Sequence, residues 1–336
     1  MLNNSTYIIA EIAQAHEGSL GIAHSYIDAL AKTGVNAVKF QTHIAEAESS
    51  EHENFRINFS YEDVTRFDYW KRMEFTIEQW DGLKKHCDDL GLEFISSPFS
   101  CAAVDLLEKI GVKKYKIGSG ETSNYLMLQK IAETGKDILL SSGMSSFSEI
   151  DKTLDFLKPF NNHISLFQCT TEYPTSPETW GLNVISEMKS MYQLPIGFSD
   201  HSSDIYAPMA AVTLGAELLE FHAVFHKDIF GPDAKASLNM QQIKQLVIGV
   251  RNIEKSINNP VDKNDNLKYE SNKILFGKSL AINKNLESGH ILQIGDLESK
   301  KPAEKGIPAS EFQSVIGKKL NKSMTKWEFL TINDIT

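Results

Sequence analysis

The chain has 336 residues, 41% hydrophobic, 23% charged and 10% aromatic, with 20 Gly and 10 Pro. It is too apolar for a disordered chain and too poor in glycine and proline for a collagen-like or mucin-like one. Its 34 Lys+Arg against 44 Asp+Glu leave a net charge of −10, which disfavours nucleic acid as a partner yet allows a small anion held by one or two lysines.

Three widely spaced cysteines, Cys87, Cys101 and Cys169, form no C-x-x-C pair and fit a reducing compartment. Met1–Thr6 is polar and lacks the pattern of a signal peptide, and no run reaches the roughly 18 apolar residues of a membrane helix. A soluble cytoplasmic protein with no membrane partner is expected. Single cores stop growing at roughly 250–300 residues, so a domain boundary is expected near the C-terminal fifth.

Short β-branched and aromatic runs predict eight strands: Tyr7–Glu11, Asn36–Gln41, Glu93–Ser97, Lys114–Ile117, Asp137–Ser141, Ile164–Gln168, Pro195–Ser199 and Leu218–His222. Amphipathic segments alternate with them. These are Gly21–Lys32, Ile77–Leu90, Ala102–Ile110, Tyr125–Glu133, Ser148–Leu157, Leu182–Lys189, Ile205–Leu214 and Gln241–Ile257. Gly34, Gly91, Gly111, Gly135 and Gly215 stand where helices need a left-handed cap.

Eight such alternations fit an α/β fold, a (β/α)8 TIM barrel spanning residues 1–257. A doubly wound open sheet is the alternative, but the turn after the first strand, Ile12-Ala-Gln-Ala-His16, is not glycine-rich. Residues 258–273, opening with the polar run Asn258–Asn266, predict a linker. In residues 274–336 the apolar pieces Ser279–Ile282, Ile291–Ile294 and Gly317–Leu320 predict a small, mostly β module.

A barrel of this kind builds its site at the C-terminal ends of the strands. Polar groups collect there: Glu11, Lys39, Gln41, Ser97, Lys116, Ser119, Glu121, Ser141, Thr171, Tyr173, Ser199, Asp200, His201, Glu220 and His222. Strand ends are often polar, but lysines directly after apolar runs carry a desolvation cost that an anion would offset. Lys39 and Lys116, with hydroxyls at Ser97, Ser119, Ser141 and Ser199 and with Gly118, Gly120 and Gly143, form a cradle for phosphate and carboxylate.

His201 and His222 end neighbouring strands and are placed to share one divalent ion with open positions. A lone barrel histidine is more often a hydrogen-bonded structural residue. His226 is a rival ligand, and His16 is placed to face the same cavity. Glu11, Glu121 and Asp233 are the carboxylates placed to move protons, or to pair with the lysines.

The ordered motifs Ile9-Ala-Glu-Ile12, Val38-Lys-Phe-Gln-Thr42, Phe94-Ile-Ser-Ser-Pro-Phe99, Tyr115-Lys-Ile-Gly-Ser-Gly-Glu121, Leu140-Ser-Ser-Gly-Met144, Cys169-Thr-Thr-Glu-Tyr-Pro174, Gly197-Phe-Ser-Asp-His201, Leu219-Glu-Phe-His222 and Gly231-Pro-Asp-Ala-Lys-Ala-Ser237 resemble the sialic acid synthase family. Lys300-Lys-Pro302 and Gly317-Lys-Lys-Leu320 resemble its C-terminal antifreeze-like domain. The family condenses phosphoenolpyruvate with an N-acylated hexose.

The resemblance implies that Lys39, Ser97, Lys116, Ser119, Ser141, Thr171 and Ser199 hold phosphoenolpyruvate. Gln41, Tyr173, Asp233 and Lys301 would face the sugar, with Glu11 beside them. Glu121 would transfer protons, and His201 and His222 would bind Mn2+ or Mg2+, so that Glu121, Glu11, His201 and His222 form the catalytic set. A domain-exchanged homodimer is also implied.

The chain departs from the family at Ala15, where Asn is usual, at Phe221, where Lys or Arg is usual, and at Lys301, where Arg is usual. Thr-Thr-Glu-Tyr-Pro is similar to legionaminate synthases. N-acetylmannosamine is the expected acceptor, and 2,4-diacetamido-2,4,6-trideoxymannose the alternative. A synthase making a seven- or eight-carbon sugar acid and a catalytically silent sugar- or partner-binding homologue are further readings. The long second loop, Ala47–Phe75, with Arg56, Tyr61, Arg66, Tyr69, Trp70 and Arg72, is where sugar selectivity is expected.

Overall fold

A computed structural model describes residues 5–57 and 59–336; of the N-terminal segment Met1–Thr6, residues 1–4 lie outside them. Two compact units divide the chain, Met1–Asn259 and Pro260–Thr336. Among the described residues no helix is long and apolar enough to cross a membrane.

In the first unit eight parallel strands run in sequence order: β1 (Tyr7–Ala13), β2 (Ala37–Thr42), β3 (Glu93–Pro98), β4 (Lys114–Ile117), β5 (Asp137–Ser141), β6 (Ile164–Cys169), β7 (Ile196–Asp200) and β8 (Leu218–Val224). Pairing of β1 with β8 closes them into a barrel. Around it lie α1 (Leu20–Leu30), α2 (Ala45–Glu48), α3 (Arg66–Met73), α4 (Ile77–Asp89), α5 (Cys101–Ile110), α6 (Tyr125–Ala132), α7 (Phe147–Leu157), α8 (Leu182–Met191), α9 (Tyr206–Thr213) and α10 (Met240–Asn258).

Helix ends follow local chemistry. Ser19, Thr76, Ser100, Asn124, Ser146 and Asn239 accept backbone N–H groups as N-caps. The expected glycines after α1, α4, α5, α6 and α9 all take positive φ.

Residues alternate along each strand. Outward side chains such as Ile8, Val38, Phe94, Ile138 and Leu219 pack under the helices in the main core. Inward ones, Ile9, Ala37, Ile95, Leu139 and Phe167, plug the base of the barrel. One alternation further on, the inward positions become Glu11, Lys39, Ser97, Ser141, Cys169 and His222. The plug thus gives a dry floor to a polar chamber.

Phe221 falls on the outward side and is buried in the main core; its departure from a basic residue therefore leaves the chamber lining unchanged. Ala15 likewise packs, half-buried, against that core.

The long second βα loop, Ala47–Phe75, takes in the end of α2 and the whole of α3. Tyr69, Trp70, Met73 and Ala45 make a small core there with Phe55, Phe59 and Phe67, and a Thr65–Asp68 capping box starts α3. Aromatic content, which carries no clear period over a short helix, hid these elements.

In the second unit a helix, α11 (Glu270–Phe276), occupies the end of the segment read as linker. Strands β9 (Ser279–Ile282) and β10 (Leu297–Lys300) pair antiparallel. Ile291–Ile294 and Gly317–Leu320 contribute only single bridges, around a core of Leu280, Ile282, Leu292, Val315, Leu320 and Leu330.

Candidate active site

Strand register sets the chamber. Glu11 pairs with Lys39 on one side and with His222 on the other, Gln41 with Ser97, and Cys169 and Glu220 both with Ser199. The inner chamber, about 60 Å³, is lined by Glu11, Lys39, Gln41, Ser97, Lys116, Ser119, Ser141, Ser199, His201, Glu220 and His222, with Tyr173 and Cys169. An outer vestibule of about 420 Å³ shares Gln41, Ser119 and Tyr173 with it and adds Glu121, Thr171 and Asp233. Of the expected residues only Lys301 lies in the second unit, its ammonium 5.1 Å from the Phe276 ring.

Two lysines and two carboxylates are interleaved in the chamber. Lys39 Nζ lies 2.7 Å from Glu11 Oε1 and 3.4 Å from Glu220 Oε1, and donates to Ser97 Oγ at 3.3 Å. Lys116 Nζ is 3.1 Å from Glu220 Oε2 and 3.7 Å from the Phe167 ring centre. Ser199 Oγ donates to Glu220 Oε1 at 3.2 Å.

Burial opposes charge on all of these groups, yet Lys39 rises above its ordinary value because Glu11 and Glu220 face it. Glu11, although buried, is held well below the usual carboxylate range by Lys39 and His222. For Lys116 burial wins and the ammonium is weakened. The two lysines and two carboxylates thus compensate one another inside the chamber.

Glu220 is thus a central residue that the sequence reading named only among the strand ends. Its signal was the alternation itself, because Glu220 lies two residues before His222 and faces the same side. Gly143 marks another close approach: a side chain there would collide with Thr171, Ser119 and Cys169, and its N–H donates to Ser119 Oγ at 3.0 Å.

The histidine rings of His201 and His222 are 5.3 Å apart. His201 Nδ1 faces the Thr170 carbonyl at 2.9 Å, which commits that nitrogen as a donor and leaves Nε2, once its own proton is displaced, as the nitrogen able to ligate. His222 Nε2 lies 3.3 Å from Glu11 Oε2. Burial lowers the His201 imidazole, but Cys169 and the Thr170 carbonyl outweigh it and push it up to about 9. Among the described residues no group of three or more His, Cys, Asp or Glu is arranged as a metal cage. Two imidazole nitrogens with open positions are the donor set that fits a divalent ion here.

Two expectations fail on geometry. His16 is buried against Phe75, with ring centres 4.8 Å apart, and its Nδ1 accepts from the Gly18 N–H, so it lines neither chamber. His226 is exposed and faces Asp228. Glu121 stands on the vestibule wall, its Oε2 accepting from Asn124 at 2.8 Å, and burial raises its carboxyl. Arg56, from the second loop, binds Asp233 Oδ1 at 2.9 Å and covers the Tyr173 ring at 4.2 Å. The Tyr173 ring also lies 4.1 Å from that of His201 between ring centres, tilted by 30°.

Fold and site together define a (β/α)8 barrel whose strand ends enclose a small, charged inner chamber opening into a larger polar vestibule. Residues 26–262 match the NeuB family, and the chain belongs to that family, the phosphoenolpyruvate-dependent nonulosonic acid synthases.

It is 33% identical over 97% of its length, and 98% of the relative's, to N,N'-diacetyllegionaminic acid synthase of Campylobacter jejuni. To human N-acetylneuraminate-9-phosphate synthase it is 32% identical, covering 94% of this chain and 88% of that one. The crystal structure of N-acetylneuraminic acid synthetase from Leptospira borgpetersenii, in complex with citrate, superposes with a TM-score of 0.70 at 30% identity, covering 80% of this chain and 90% of that one.

Proposed function

We propose that the enzyme condenses phosphoenolpyruvate with N-acetylmannosamine or a closely similar N-acylated hexose, releasing phosphate with C–O cleavage. The carrying observation is the pair of joined chambers: a small inner one with Lys39, Lys116 and four serines, and an outer one with Gln41, Tyr173, Glu121 and Asp233. In this reading C3 of phosphoenolpyruvate in the inner chamber meets the open-chain aldehyde where the two chambers share Gln41, Ser119 and Tyr173.

Lys39, Lys116 and the hydroxyls of Ser97, Ser119, Ser141 and Ser199 bind phosphate and carboxylate, with Thr171, on the vestibule wall beside Gly143, completing the set. Gln41, Tyr173 and Asp233 orient the sugar. As the C2=C3 electron pair bonds C3 to the aldehyde carbon, the aldehyde oxygen takes a proton; water adds its oxygen at C2 and gives up one proton, and the resulting C2 hydroxyl gives up the other as the C2–O bond breaks, leaving a C2 ketone and hydrogen phosphate. Glu121, raised by burial, suits the proton transfers, while Glu11 stays ionised beside Lys39. Mn2+ or Mg2+ on His201 and His222 would polarise the aldehyde oxygen.

A legionaminate-type acceptor, 2,4-diacetamido-2,4,6-trideoxymannose, is the second reading, favoured by the apolar vestibule walls Trp70, Phe99 and Pro232. Under the same proposal Lys301 serves the sugar in a domain-exchanged homodimer, which the mass in solution tests. Phosphate release with phosphoenolpyruvate, Mn2+ and a panel of N-acylated hexoses, those two foremost, ranks the acceptors. Inertness toward the whole panel would overturn the assignment.

A further inference from the structure

A hydrogen-bond chain behind the vestibule ends on Gln41. It starts from an irregularity in β1, where Glu11 pairs with Lys39 and Ala13 with Phe40, leaving Ile12 as an extra residue. Ala13 takes φ 48°. Such bulges re-aim the side chains that follow them, and here Gln14 is left buried in the vestibule wall.

His43, just past β2, is buried in the same wall. Its ring is sandwiched, nearly parallel, between Trp70 at 3.8 Å and Phe99 at 4.5 Å. The sandwich fixes the plane of the imidazole and leaves only its edges to act. Nδ1 lies 2.6 Å from Glu48 Oε1, and Glu48 is itself fixed by accepting the Ile44 N–H at 3.2 Å.

Donors and acceptors along the chain are set by the contacts at its two ends. Glu11 Oε1 faces the Lys39 ammonium at 2.7 Å and accepts from Gln41 Nε2 at 2.7 Å. Gln41 Oε1 then accepts from Gln14 Nε2. The second hydrogen of that amide points to His43 Nε2, 3.0 Å away, which must be unprotonated to receive it. That demands the Nδ1–H tautomer, the one Glu48 selects. A proton on Nε2 would reach Gln41 Oε1 at 3.2 Å but would face the Gln14 donor head-on.

We propose that His43 is a positioning residue for the acceptor sugar: with Glu48 and through Gln14 it fixes the direction in which the Gln41 amide faces the chamber. The proposal rests on reading the outer chamber as the sugar site. His43 touches no reacting atom; its effect passes through Gln41, whose remaining N–H is left for the ligand.

His43→Phe keeps a flat ring between Trp70 and Phe99 and removes the acceptor. The KM for the acceptor sugar should rise about five- to tenfold, the worth of roughly one hydrogen bond, while phosphoenolpyruvate affinity, read calorimetrically without sugar, stays within about twofold. Gln14→Met should reproduce this split with His43 intact, covering the case in which His43→Phe folds poorly. An unchanged sugar KM, or equal losses for both substrates, overturns the proposal.

The ring is also read directly. 15N spectra of the ligand-free enzyme, with the His43 signals assigned by their absence in His43→Phe, should show His43 protonated at Nδ1 and bare at Nε2. The Nε2–H tautomer overturns the proposal. This readout needs no substrate, so an enzyme inert toward every sugar would defeat the functional reading while leaving His43 decided by its tautomer.

Discussion

Glu220 Oε2 lies 3.1 Å from Lys116 Nζ inside the barrel, yet neither atom is in hydrogen-bonding geometry with any partner. The contact is coulombic: Glu220 raises the Lys116 ammonium, but burial outweighs it and leaves the ammonium weakened. In Glu220→Gln, Lys116 loses that counter-ion and its ammonium is weakened further, while an incoming anion favours the protonated form. Phosphoenolpyruvate affinity should therefore begin to fall with rising pH at a lower pH in the variant than in the wild type. Calorimetry in buffers of different ionisation enthalpy checks this, with greater proton uptake on binding expected for Glu220→Gln than for the wild type.

His201 and His222 are argued as ligands from their spacing and from the spent Nδ1 of His201. His201→Ala and His222→Ala should each weaken Mn2+ binding, followed by the paramagnetic signal of free Mn2+, beyond the roughly 10–100-fold of an outer-shell change. Variants that keep both Mn2+ affinity and turnover would show that the ion sits elsewhere.

Glu121 has a carboxyl raised by burial, only partly countered by Asn124. The sign follows: its ionised form is lost as pH falls through that raised value, so the acidic limb of kcat begins above the ordinary carboxylate range. Glu121→Gln should lower kcat by about 10²–10⁴-fold with phosphoenolpyruvate KM little changed, and the limb should disappear. A limb that persists in the variant belongs to another group.

The barrel and the inner chamber were legible because both rest on period-two alternation: once β1, β2 and β8 are placed, Glu11, Lys39 and His222 must face inward together. Glu220 obeys the same rule. His16 and His226 failed because position in a loop says nothing of direction, and each found a local partner instead. Arg56, Glu48 and His43 depend on how the second loop folds over its own aromatic core, which no spacing in the chain specifies.

Within the second unit, Asp296 is pulled down to about 2: burial opposes its charge, but Lys284 at 2.7 Å, His290 at 2.7 Å and the Gln293 N–H at 2.9 Å outweigh it. A depressed carboxyl contributes stability that is present above its ordinary value near 4 and lost as pH falls through about 2. Because Lys284 is more than half exposed, solvent screening reduces the effect, and Asp296→Asn should cost about 1–2 kcal/mol at neutral pH. Hydrogen exchange of the amides around residues 286–297 in the full chain should show faster local opening at pH 7, with the difference from wild type shrinking on acidification.

Arg56 joins two loops across the vestibule, one end on Asp233 and its flat face on Tyr173. Its side chain is 44% exposed, so neither contact is strong alone. A half-exposed stack and an ion pair are worth about 0.5–1 kcal/mol each, which together correspond to about a five- to thirtyfold change in an equilibrium. If Arg56 holds Tyr173 and Asp233 in place for the sugar, Arg56→Ala should raise the sugar KM within that range and leave phosphoenolpyruvate binding alone, because the inner chamber does not include it. Arg56→Lys separates the two parts: a lysine can still pair with Asp233 but lacks the planar guanidinium that stacks on Tyr173. A lysine variant matching wild type would assign the effect to charge, and one matching Arg56→Ala would assign it to the stack. An alanine variant with an unchanged sugar KM would remove Arg56 from sugar binding and return selectivity to the barrel's own strand ends.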